Sequence, residues 1–132
     1  MTLRIFYLLM SAALPIYADV THDLYKALEK GDKQGTETAI KAGADVINSD
    51  DRGEPPLHKV RISKDYVSIL RLLLAAGADI NAKNANAETL LTRIAPMKIE
   101  PSIVQAIIAA GADVNMADDS GYNPIYWAVR NN

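Results

Sequence analysis

Apolar positions along the chain gather in short stretches of helical length, and polar turn formers fill the intervals between them. Three of these stretches close on small residues: Ala39-Ile40-Lys41-Ala42, Leu72-Leu73-Leu74-Ala75-Ala76 and Ile107-Ile108-Ala109-Ala110. Each runs directly into one phrase, Gly43-Ala44-Asp45-Val46, Gly77-Ala78-Asp79-Ile80 and Gly111-Ala112-Asp113-Val114, at a spacing of 34 residues. Glycine tolerates the left-handed backbone that closes a helix, so each Gly is expected just past a helix end. Pro56 and Pro124 suit the opposite end, the first turn of a helix, where a missing N–H costs nothing. Between them lie runs rich in Asp, Asn and Gly that favour an extended, turn-rich finger. The pattern predicts units of helix, turn, helix and finger. Helices are expected near 22–30 and 34–42, near 56–64 and 67–76, near 90–95 and 101–110, and near 124–131.

One such unit cannot bury both of its helices, whereas stacked units share a continuous elongated core. Gly53 and Gly121 each follow a phrase glycine by ten residues, and soon after them come Pro55-Pro56-Leu57-His58 and Asn123-Pro124-Ile125-Tyr126. In these two registered motifs the chain resembles the ankyrin-repeat family, whose signature is Thr-Pro-Leu-His at a similar period. The resemblance implies an all-α solenoid of about three repeats plus a terminal half-repeat. The units run over about 19–51, 52–85, 86–119 and, in part, 120–132. The third unit departs from the pattern, with Thr89-Leu90-Leu91-Thr92 in the motif position and Ala87 in place of the finger glycine. Ile47 stands where the first finger would carry Asn, and Pro96 is expected to end its helix early. The last unit has a single helix, which leaves Ile103, Val104, Ile107, Ile108, Ile125 and Val129 to be covered by the chain itself, a partner or a second copy.

The first eighteen residues read differently: one charge at Arg4, an apolar run from Ile5 to Leu14, Pro15, and Ile16-Tyr17-Ala18 before Asp19. That is the pattern of a secretory signal peptide, with cleavage expected after Ala18 and a periplasmic or secreted domain over 19–132. The run is too short for a comfortable membrane span, so no stable membrane anchor is expected after cleavage.

Composition narrows the chemistry. The net charge of −2 over 132 residues is a poor match to duplex nucleic acid. No Cys is present, which removes disulfides, thiol catalysis and Cys-ligated zinc. The two histidines, His22 and His58, have no second ligand or acid at a supporting spacing, so neither a metal centre nor a catalytic pair is expected. There is no glycine-rich phosphate loop and no nucleophile elbow. No cofactor is expected, and the chain reads as a non-enzymatic module that binds another protein.

The resemblance supplies the candidate surface. The position sixteen residues past each phrase glycine holds Lys59, Arg93 and Trp127, and the matching position of the first unit is Lys26. In ankyrin proteins this place lies on the inner helix and faces the concave groove. The expectation is a basic groove of Lys26, Lys59 and Arg93 with Trp127 as an anchor, suited to an acidic segment of a partner. Finger tips carrying Asp50, Asp51, Arg52, Lys83, Asp118 and Asp119 would complete it. The resemblance also implies that His58 hydrogen-bonds backbone across the base of a finger. The partner could be regulated or protected, as by periplasmic immunity proteins. Self-association through the C-terminal end, or export as an effector that binds host proteins, would use the same frame.

Overall fold

A computed structural model describes residues 19–131. The expected signal segment, 1–18, and its cleavage point lie outside the described residues. Helix α1 covers 19–30 and is followed by α2 (Lys33–Lys41). A short 3₁₀ helix, η1 (Pro56–Lys59), precedes α3 (Tyr66–Ala75). Then come α4 (Leu90–Ile94), α5 (Pro101–Ala109) and α6 (Pro124–Arg130). Among the described residues there is no strand, and no helix is long and apolar enough to cross a membrane.

Two layers of helices result. In the outer layer α2 packs on α3 and α3 on α5, and in the inner layer α4 packs on α6. Between the layers runs one core, with Leu24 and Leu28 from α1, Ile69, Leu70 and Leu73 from α3, Leu90 and Ile94 from α4, and Ile107 from α5. Tyr66 is the largest of the fully buried side chains, and burial pushes its phenol up to about 12.

Each outer helix ends in the same closure. Gly43, Gly77 and Gly111 have φ of 90°, 105° and 94°. The N–H of Ala44, Ala78 and Ala112 reaches back to the carbonyl of Ala39, Leu73 and Ile107 at 3.0, 3.0 and 3.3 Å. This is the Schellman arrangement, which satisfies carbonyls that the helix end would leave orphaned. The four-residue phrase that recurs every 34 residues is therefore a helix stop, present three times.

The inner helices are shorter than the pattern predicts. The helix expected over 56–64 is only η1. Val60 is extended (φ −64°, ψ 116°), and the N–H of Arg61 donates to Leu28 O at 2.9 Å. The end of α1 thus captures a donor that would have continued the helix, and the branched Val60 and Ile62 accept the extended path readily. Helix α4 stops at Ile94, just before Pro96, as expected. Both units consequently have long non-helical linkers, 60–65 and 95–100, between their inner and outer helices.

Ala87 has φ 55°, where Gly53 and Gly121 have 76° and 81° at the matching places in their fingers. A Cβ in that region is strained. Ala87→Gly is expected to raise the urea midpoint, with a gain of about 1 kcal/mol. A lower midpoint would mean that the alanine methyl contributes packing worth more than the strain.

Candidate functional site

The fingers are built on a second register, Asp50, Asn84 and Asp118, spaced like the phrase glycines. Asp50 Oδ1 accepts the N–H groups of Arg52 and Glu54, both at 2.9 Å. Asn84 Oδ1 accepts those of Asn86 and Glu88, both at 3.0 Å. Asp118 Oδ1 accepts those of Ser120 and Tyr122 at 2.9 and 3.0 Å. One oxygen ties down each turn, leaving the second side-chain atom free to reach the inner face. Asp50 Oδ2 meets Lys59 Nζ at 3.2 Å, and Asp118 Oδ2 accepts Trp127 Nε1–H at 2.8 Å. Burial opposes the charge on Asp50 and Asp118. The backbone donors, with Lys59 and with Trp127 respectively, nevertheless hold both carboxyls below the ordinary range.

The middle finger differs because an amide replaces the carboxylate. Asn84 Nδ2 donates to Glu88 Oε2 at 2.8 Å and to Glu54 Oε1 at 3.3 Å. Arg93 Nη1 meets Glu54 Oε2 at 2.6 Å. Glu54 therefore joins two adjacent units. Tyr25 OH also donates to the Glu54 carbonyl, at 3.0 Å, and burial together with Asp50 and Asp45 pushes this phenol up to about 12.

His58 Nε2 lies 3.0 Å from Ala82 O in the next finger, which is the implied bond across a finger base. Its Nδ1 is buried without a hydrogen-bond partner, 3.9 Å from Glu54 Oε2. Burial holds the ring below its usual value despite Ala82 and Glu54. The ring serves to tie η1 to the next finger.

The candidate residues divide by what holds them. Lys26, exposed on α1, and Lys59 line one depression of about 570 Å³, shared with Asp45, Asp50 and Asp51. Lys59 and Arg93 line the adjoining one, of about 410 Å³. The expected basic groove is thus mixed in charge at its first step, and Lys59 and Arg93 are each tied to a finger carboxylate. Trp127 lines neither depression. Its indole sits edge-on to Tyr122 and Tyr126 at 5.8 and 5.5 Å, with the Arg130 guanidinium 5.6 Å from its ring. The bond to Asp118 and these aromatic contacts turn it toward its own finger.

At the tips, Asp51, Arg52 and Asp119 stand exposed. Lys83 Nζ donates to Ala117 O at 3.1 Å and the Asp119 N–H to Asn86 O at 3.3 Å, so these two residues link neighbouring fingers. Asn81 does the same, accepting from Asp113 N–H at 2.8 Å and donating to Gly111 O at 3.2 Å. Ile47 holds the matching place in the first finger and is 62% exposed. Sequence reasoning missed Glu54, Asn84 and Glu88, although the spacing of Asp50, Asn84 and Asp118 was there to be read.

A family model described as ankyrin repeats, in three copies, matches residues 60–132, more than half of the chain. The structure places α1 and α2 ahead of that stretch, with the Gly43 closure in the same register. None of the curated proteins compared with the chain matches it.

Proposed function

The chain belongs to the ankyrin-repeat family, whose repeats bind other proteins and typically carry no chemistry of their own; from that premise we propose that it is an exported module that grips an acidic segment of one partner protein. The observation that carries this reading is the run of Lys26, Lys59 and Arg93 along two adjoining depressions. Lys59 and Arg93 are held in place by Asp50 and Glu54. Partly exposed pairs of this kind are worth about 1 kcal/mol or less, so an incoming carboxylate can share the cation at small cost. The donors are also ordered in advance, which lowers the entropy cost of docking. The signal-peptide pattern over 1–18 supports export to the periplasm or beyond. Regulation or protection of the partner, as by an immunity protein, is the role that such a module fits by analogy. Trp127 contributes from the side of its finger rather than from the groove floor.

Affinity capture with the chain from residue 19, followed by identification of the protein recovered in stoichiometric amount, supplies the partner. Lys26→Glu with Arg93→Glu is then expected to weaken binding at least tenfold and to flatten its salt dependence. Unchanged affinity and salt dependence would remove the groove from the interface. The alternative is self-association through the apolar depression lined by Ile108, Val114 and Ile125. A mass in light scattering that rises with concentration and falls with Ile125→Ser would favour it.

A further inference from the structure

The two linkers 60–65 and 95–100 flank a cleft that a continuous inner helix in the second unit would not leave in this form. The depression of about 410 Å³ between them has Tyr66, Leu90 and Ile94 beneath it, each less than 5% exposed. Ile62 and Met97, one from each linker, line its mouth and are 44% and 49% exposed. Lys59, Arg61 and Arg93 surround this apolar floor, and no carboxylate is among the lining residues. Arg61 is exposed and its side chain makes no ion pair among the described residues, while its backbone N–H is anchored on Leu28 O. Arg93 spends one N–H on Glu54, and a guanidinium has five.

An apolar floor whose charged lining residues are all cations, Arg61 unpaired among the described residues and Lys59 and Arg93 each shared with a finger carboxylate, fits a particular occupant. We propose that this cleft receives a short segment of the partner protein in which one large apolar side chain lies beside carboxylates. The apolar group fills the space between Ile62 and Met97 while the carboxylates meet Arg61 and Arg93. This deepens, and rests on, the reading of the inner face as a protein-binding surface. It moves the specificity from the Lys26 end, where acids line the depression alongside the lysines, to the linkers. Burying a phenylalanine-sized group supplies affinity, and the cations select the residues beside it.

The probe is a seven-residue peptide with one phenylalanine between two glutamates, titrated to millimolar concentration into the full chain and followed by amide chemical shifts. Saturable shifts are expected at 60–63 and at 94, 95 and 97. Arg61→Glu and Ile62→Ser, both at exposed positions, are each expected to weaken binding at least fivefold with the circular dichroism unchanged. Lys33→Glu, exposed at the start of α2 and outside both depressions, is expected to leave peptide binding unaltered. Equal binding of a peptide with serine in place of phenylalanine would overturn the cleft. So would an absence of shifts, or sensitivity to Lys26→Glu without sensitivity to Arg61→Glu. In this last case the broader groove reading survives. Arg61-dependent sedimentation with phosphatidylglycerol vesicles, with no peptide binding, would reassign the cleft to a membrane surface and overturn the proposal.

Discussion

Leu73→Ala is expected to lower the unfolding free energy by about 3 kcal/mol, roughly a hundredfold shift in the folding equilibrium. Leu73 is fully buried in α3, the outer helix that packs on both α2 and α5. Its truncation removes apolar contacts and leaves a space that neighbours on two sides cannot both close. In a stacked array the stability is a sum of units and their junctions, and α3 takes part in two junctions. The urea transition is therefore expected to shift to lower concentration and to broaden. Ile47→Ala, at an exposed position, is the control and should change stability by less than about 0.5 kcal/mol. A loss at Leu73 no larger than the control would contradict the central place of α3.

Asn84→Asp has the second large effect, although it restores the residue type found at the matching positions Asp50 and Asp118. The new carboxylate would still cap the turn through Asn86 N–H and Glu88 N–H. It would lose the two amide donations to Glu54 and Glu88 and set a third negative charge beside theirs. Arg93 balances only one of them. A cost of about 2 kcal/mol at pH 7 is expected. Like charges raise a carboxyl's affinity for its proton, so the folded state takes up a proton more readily than the unfolded chain as pH falls. The deficit relative to the parent protein should therefore shrink between pH 7 and pH 4.5 in chemical denaturation. Asn84→Ser, which loses the donors without adding charge, should show a deficit that changes less with pH than that of Asn84→Asp. A pH-independent deficit for Asn84→Asp would mean that the three acids do not share a site.

Much of this molecule was legible because its stops and turns rest on local chemistry. Gly43, Gly77 and Gly111 announce helix closures in any context, and Pro56 and Pro124 announce the first turns that they occupy. The inner face was only half legible. Register places Lys59, Arg93 and Trp127 at one position of the repeat, yet a side chain's direction depends on what it meets across the fold. Asp50 and Glu54 take the cations, and Asp118 with two tyrosines takes the indole. The early end of η1 was not legible at all. It depends on the carbonyl of Leu28, thirty-three residues away from the N–H of Arg61 that it captures. Such a competition has no signature within either stretch of sequence.

The seat of Trp127 has an optical consequence. It is the chain's single tryptophan, and its ring contacts are with Asp118, Tyr122, Tyr126 and Arg130. Indole emission is thus a reporter for the terminal repeat, whereas far-ultraviolet ellipticity averages over every helix. If melting spreads inward from that extremity, the two signals part company, and the gap between the curves measures how tightly the array is coupled along its length.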